Sequence, residues 1–309
     1  MKILVTGASG LLGSHVLSFF SGRHEILGAD RNPAWGDRPA RLEQGDLTDP
    51  GFAQGVVRRF EPDLLIHCAA MADVDGCERD PARADLYNAR MTRHLVTAVS
   101  PRCLVVYIST DGLFRGETPF TTEETPPSPR TVYGRSKLAG EREVRQATEN
   151  HLILRTNFYG WSSGRKKTAG EWLYQALRDA APITLFDDFY FTPIYIVDFI
   201  ERLEALLETG VKGTFHLCGR DRVSKLEFGI RMAELAGFPR TGIRPGSIRT
   251  AGLLADRPAD MSLDSGLFRR VTGLGVPGCE EGIRRFLRDR EIPLSRRFPP
   301  RSAVGKAPR

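Results

Sequence analysis

The first thirteen residues restrict this chain more than any others. Lys2 to Thr6 reads as a strand, Gly7-Ala8-Ser9-Gly10-Leu11-Leu12-Gly13 as a glycine turn, and the run to about Phe20 as a helix. Three glycines by themselves mark only a tight turn; the order strand, turn, helix gives them a use. Gly7 permits the sharp turn, Gly10 lets a pyrophosphate approach the backbone, and Gly13 lets helix and strand pack closely. The anion would rest on free N–H groups at the helix N-terminus, with Ser9, Leu11 and Leu12 completing the cradle. A second strand, Glu25 to Ala29, ends in Asp30, twenty residues after Gly10, where a carboxylate is expected to grip the ribose hydroxyls of an adenosine. Arg31 beside it is able to pair with a 2′-phosphate. The pattern therefore calls for NAD(P)(H) and leaves NAD against NADP open.

The alternation continues. A loop at Gly45-Asp46-Leu47-Thr48-Asp49 leads to a helix near Phe52 to Phe60, then to the apolar run Leu64 to Ala70. That run fits a strand buried on both faces of a parallel sheet. A helix from about Pro81 to Val99, a strand from Cys103 to Ser109, a helix through Tyr133 ending near Asn150, and a strand from His151 to Thr156 follow. Repeated β-α-β units give an α/β fold class: a Rossmann-type doubly wound parallel sheet with a smaller C-terminal substrate-binding domain. The expected division is 1–157 for the dinucleotide-binding domain and 158–292 mainly for the substrate-binding domain, with segments returning to the sheet. Residues 293–309 are expected to be a basic, disordered tail.

Charge supports that division. Lys and Arg outnumber Asp and Glu 44 to 38 over the 309 residues. From Arg284 to Arg309, however, nine basic residues face only Asp289 and Glu291, so the body is near neutral and a nucleic-acid surface is not expected. No stretch reaches the roughly 18 apolar residues of a membrane span. The strand-like start leaves no room for a signal peptide, so a cytoplasmic protein is expected. Five widely spaced cysteines and no Cys/His cluster point to buried thiols and no metal.

Thr110 and Asp111 stand at a strand's carboxyl end, the edge where such sheets bind ligands. Tyr133 and Lys137 lie four apart in a helical segment and share one face. Ser128 and Thr131 are candidate caps for that helix. A lone Tyr-x-x-x-Lys is usually a half-buried Tyr beside a solvated Lys. Placed at one edge with the glycine turn, it becomes a proton-delivery unit for carbonyl reduction: Tyr133 as acid, Lys137 as the cation lowering the phenol's pKa, and Thr110 orienting the oxygen.

Thr6 to Gly13, Ser109-Thr110-Asp111 and Tyr133-Gly134-Arg135-Ser136-Lys137-Leu138-Ala139-Gly140-Glu141 resemble the extended short-chain dehydrogenase/reductases, most of all the dTDP-4-dehydrorhamnose reductase family. His67-Cys68-Ala69-Ala70, Val74-Asp75, Glu78, Asn88, Leu154-Arg155-Thr156, Gly213 to Leu217, Arg257-Pro258 and Leu263-Asp264 extend the resemblance over nearly the whole chain. The resemblance implies a catalytic trio of Thr110, Tyr133 and Lys137, the latter two also touching cofactor. It further implies Ala69 and Ala70 along the cofactor, and Asp46 with Leu47 beside the adenine. Two departures fall where the family's sugar would lie: Gly112 follows Ser-Thr-Asp where an aromatic is usual, and Asn157-Phe158 replaces a Trp. Asp111, Asn157, Phe158 and Arg257 are accordingly the candidate substrate contacts. Arg165, Lys166 and Lys167 are an alternative diphosphate contact or a solvated basic loop, and His67 and His216 are expected to be core groups. The implied activity is NAD(P)H-dependent reduction of the keto group of a nucleotide-activated sugar, possible as a homodimer. The alternatives are an NDP-sugar epimerase or dehydratase that recycles its nicotinamide, and a regulatory subunit like the methionine adenosyltransferase β subunit.

Overall fold

The computed structural model describes residues 1–33, 41–162 and 167–298. Its frame is a parallel sheet of β1 (Lys2–Thr6), β2 (Glu25–Asp30), β3 (Arg41–Gln44), β4 (Leu64–His67), β5 (Leu104–Ile108), β6 (His151–Arg155) and, much later in the chain, β11 (Gly213–His216). The spatial order is β11-β6-β5-β4-β1-β2-β3. The direction of winding therefore reverses between β1 and β4, which opens a crevice at their carboxyl ends.

Alternation along each strand feeds two cores. Ile3, Val5, Val106 and Ile108 face α1 (Leu11–Phe20) and α8 (Ile196–Thr209), whereas Leu4, Val105 and Tyr107 face α2 (Pro50–Phe60), α5 (Met91–Val96) and α6 (Val132–Ala147). The central strands are buried on both sides, which is why they read as unbroken apolar runs. Helix starts are marked by side chains that satisfy otherwise orphaned N–H groups: Asp49 caps α2, and Thr131, one of the two candidates, caps α6. Between β4 and α5 the chain forms α3 (Val74–Arg79), α4 (Pro81–Asp85) and a π-helical turn at Leu86–Arg90 that leads directly into α5. These short pieces and β3 fall outside what periodicity alone can mark.

Beyond β6 the elements shorten. β7 (Phe158–Tyr159) pairs with β10 (Ile194–Tyr195), β8 (Ile183–Phe186) with β13 (Ile243–Gly246), and β9 (Tyr190–Phe191) runs antiparallel to β12 (Val223–Ser224). α7 (Ala169–Arg178), α9 (Lys225–Ala236), α10 (Gly266–Thr272) and α11 (Cys279–Arg288) pack around them. An aromatic cluster holds this half together: Trp161 stacks on Phe286 at 4.2 Å and donates from Nε1 to the Phe286 carbonyl at 2.7 Å.

The expectation of a disordered tail from residue 293 fails for its first six residues. Leu294 and Phe298 are buried, the Phe298 ring lies 4.9 Å from Phe19, and Ser18 Oγ donates to the Leu294 carbonyl at 3.3 Å. Composition is basic here, but two apolar side chains at this spacing suffice to close the outer face of α1. Residues 299–309 lie outside the described residues.

Candidate active site

The turn after β1 is shaped by steric necessity. Gly7 has φ +67°, and a Cβ there would lie 2.6 Å from the Ala69 nitrogen; a Cβ on Gly13 would lie 2.1 Å from the Gly7 carbonyl oxygen. At Gly10 an added Cβ would meet only that same oxygen, at 3.1 Å, and otherwise fills the open space before the turn. Gly10 is the N-cap of α1 and brings no side chain to its first turn. Open space and uncapped N–H groups at a helix N-terminus fit a pyrophosphate.

Asp30 ends β2 beside this turn, with Oδ2 accepting from Ser9 N at 3.1 Å and Oδ1 from Asn32 N at 2.9 Å. The carboxylate thus ties the turn to β2. Arg31 rests on Tyr87, with Nη1 donating to its hydroxyl at 2.8 Å. Asp46 accepts from the Thr48 N–H at 2.9 Å, which holds its carboxyl below the usual range, and Leu47 is buried next to it. Ala69 is half-buried and Ala70 exposed, both directly after β4 at the crevice. These residues can take an adenine dinucleotide laid across the strand ends.

The second group lies at the end of β5. Thr110 is buried, with Oγ1 donating to Asp111 Oδ1 and accepting from Gly112 N, each at 3.1 Å. α6 carries Tyr133 and Lys137 on one face. Burial pushes the Tyr133 phenol well above its ordinary pKa, opposed by the Thr110 hydroxyl and reinforced by Asp111. Burial likewise pulls Lys137 down to about 7, and its Nζ sits 4.1 Å from the centre of the Tyr107 ring. The influences acting on the Tyr133 phenol are thus loss of water, the Thr110 hydroxyl and the Asp111 carboxyl.

Several supports of this group are weakly marked in sequence. Asn88, in the π-helical turn, donates from Nδ2 to Ser136 Oγ at 2.9 Å and brackets Met71 through its N–H and carbonyl. Glu78 Oε1 accepts from Val132 N at 2.7 Å, fixing the first turn of α6. Glu141, fully buried, accepts from Ser109 Oγ at 2.7 Å and from Arg155 through two bonds at 3.0 and 2.9 Å, pinning α6 to β5 and β6. His67 bridges Thr6 and Thr92, and burial keeps it neutral, with a pKa lowered to about 3. His216 is lowered to about 3 by burial too and bonds the Thr121 carbonyl through Nδ1.

The expected substrate contacts are brought together in part. Asn157 Nδ2 donates to Asp111 Oδ2 at 2.6 Å. Phe158 enters β7 and packs 5.7 Å from Phe199, with the aliphatic core. Arg257 ion-pairs with Asp75 of α3 at 3.0 Å. Sequence reasoning missed Lys225, the first residue of α9, whose Nζ lies 3.3 Å from the centre of the Phe191 ring and which feels both Asp111 and Arg257. It also missed Arg222, stacked at 3.6 Å on Tyr190 and bonded to Asp260 at 2.7 Å. The Ser224 and Glu227 capping box was the readable signal for the start of α9 and hence for Lys225. Lys167 is exposed; Arg165 and Lys166 lie outside the described residues. Among the described residues no group of His, Cys, Asp and Glu could hold a metal ion, and no helix is long and apolar enough to cross a membrane.

Fold and site together define an NAD(P)-binding oxidoreductase of the extended short-chain dehydrogenase/reductase type. Residues 1–292 match the RmlD substrate binding domain, and the chain belongs to that family. It is 33% identical over 291 residues to a Haloferax volcanii protein named "Probable low-salt glycan biosynthesis reductase Agl14", covering 92% of this chain and 96% of that one. It is 30% identical over 272 residues to methionine adenosyltransferase 2 subunit beta of Danio rerio, covering 85% and 82% of the two chains. Among solved structures, a dTDP-4-dehydrorhamnose reductase from Bacillus anthracis in complex with NADP is similar with a TM-score of 0.83 and 27% identity, covering 93% of this chain and 99% of that one.

Proposed function

We propose that this protein reduces the keto group of a nucleotide-activated sugar with NAD(P)H as the hydride source. The observation that carries the reading is the Thr110 hydroxyl set against the Tyr133 phenol at the β5 edge, with Lys137 buried one turn along α6 and open space at the glycine turn that heads α1. When bound, the nicotinamide supplies the hydride. Tyr133, held protonated by burial, donates its proton to the oxygen that becomes the alkoxide. Lys137, one helical turn away, stabilises in its protonated form the phenolate left behind. Thr110 offers a hydroxyl to the same oxygen. Asp30 and Arg31 receive the adenosine end; Arg257 and Lys225 supply positive charge where a sugar diphosphate would enter.

The test is a panel of dTDP- and other NDP-4-keto-sugars with both reduced cofactors, followed by cofactor absorbance. Turnover of at least one sugar by the parent is expected; binding of NADPH or NADH without oxidation on any sugar sinks the reading. The similarity to the methionine adenosyltransferase subunit favours one second reading, a regulatory subunit. A stable complex with a synthetase and no turnover would support it.

A further inference from the structure

A threonine hydroxyl has one proton and two lone pairs, and at Thr110 most of that capacity is committed. Its proton goes to Asp111 Oδ1, and one lone pair takes the Gly112 N–H. While Asp111 holds that hydrogen bond, Thr110 has only a lone pair left for the neighbouring Tyr133 hydroxyl or a substrate, and can donate to neither. A carbonyl under reduction needs the opposite, since donors aimed at its oxygen stabilise the developing charge. Asp111 and the substrate therefore compete for one hydrogen.

We propose that Asp111 is a positioning residue that sets the donor direction of Thr110, withholding its hydrogen as a carboxylate and releasing it to the substrate oxygen as a neutral acid, with Asn157 and Lys225 balancing the two states. The inference rests on the reading of Thr110 and Tyr133 as the carbonyl-facing pair. Protonation at Oδ1 reverses the short chain: Asp111 donates to Thr110 Oγ1, and the Thr110 hydrogen turns outward. Oδ2 remains an acceptor for Asn157 Nδ2 in either state, so the side chain does not need to move.

The surroundings place this switch in a usable range. Asp111 is almost wholly buried, and its backbone N–H is fixed on the Thr156 carbonyl at 3.3 Å. Tyr133 faces it from α6, Lys225 from α9, the Cys218 thiol from the end of β11, and Asn157 from the end of β6. Burial lifts its carboxyl to about 6, while the Asn157 bond and the Lys225 charge oppose the lift. Lys225 is itself lowered to about 8 by burial, against the pull of Asp111 and with the push of Arg257. Its Nζ rests on the rings of Phe191 and Phe189.

The experiment measures kcat/KM for reduction from pH 5 to 9 in the parent, Asp111→Asn and Lys225→Met, with a carbon-13 carboxyl NMR titration of Asp111 in the parent and Lys225→Met. The amide introduced by Asp111→Asn would imitate the neutral acid, its N–H donating to Thr110 and its oxygen accepting from Asn157. The parent is expected to fall roughly tenfold to a lower plateau as pH rises through about 6, the loss of one hydrogen bond. Asp111→Asn should stay flat across that range, near the parent's acid plateau. Lys225→Met should move the midpoint of both rate and titration upward by about one pH unit. A parent profile flat through the Asp111 midpoint, or a Lys225→Met midpoint that does not move, overturns the proposal while leaving the reductase reading intact. So does an Asp111→Asn protein that is folded but more than tenfold below the parent at every pH. Absence of turnover by the parent on every sugar instead removes the reductase reading, and the proposal with it.

Discussion

The two sides of the active crevice are built by different means. On the sheet side, the backbone does the placing: strand ends, a glycine turn and the first turns of α1 and α6 bring Gly10, Thr110 and Tyr133 to one edge. On the side contributed after β6, two-residue strands place little, and side chains take over, through the stacked Trp161 and Phe286, the Arg222 to Asp260 bond and the Arg257 to Asp75 pair. On the first side backbone geometry limits which residues fit, as at Gly7 and Gly13; on the second, each position depends on a side-chain partner.

The largest effect should break the chemistry without touching either frame. Tyr133→Phe removes the proposed proton donor and is expected to lower kcat by about 10² to 10⁴, with cofactor still bound by fluorescence titration. A loss of only a few-fold would end the proposed mechanism. Next comes the buried ion pair of the sheet side. Glu141→Leu leaves Arg155 buried without its partner, and should cost about 3–5 kcal/mol in urea unfolding; a cost under about 1 kcal/mol would mean that backbone alone holds α6. On the other side, Ser224→Ala deletes the cap of α9, with an expected loss of about 1 kcal/mol. Because Lys225 follows at once, KM for the sugar should rise while kcat holds, a split that a purely structural cap would not give. Smallest is Arg130→Ala. Its bond to exposed Asp256 joins the α6 approach to the later loop, yet in solvent it should be worth at most about 1 kcal/mol and fade in roughly 0.5 M salt.

This contrast also explains what could be read beforehand. Gly7, Gly10, Gly13 and Asp30 announce themselves because backbone conformation limits the residues allowed there, and strands such as Leu64–His67 because burial on both faces leaves an apolar run. Tyr133 and Lys137 are legible from helical spacing. Lys225 and Arg222 are not, since their places depend on Phe191 and Tyr190, more than thirty residues earlier in the chain. Nor is the π-helical turn that presents Asn88, whose local sequence reads as ordinary helix. The docked stretch at 293–298 was hidden by its own charge: composition counts its arginines, whereas packing depends on Leu294 and Phe298.

That last contact bears on how the chain is made. α1 carries the glycine turn, yet its outer face is covered by α8 and by Leu294, Arg297 and Phe298, elements that follow it in the chain by up to about 280 residues. At ordinary rates of synthesis, on the order of 10 residues per second, Phe19 waits on the order of half a minute for Phe298. During that interval the Phe19 side of α1 lacks its final cover, so the helix that heads the crevice is completed only when the end of the fold arrives.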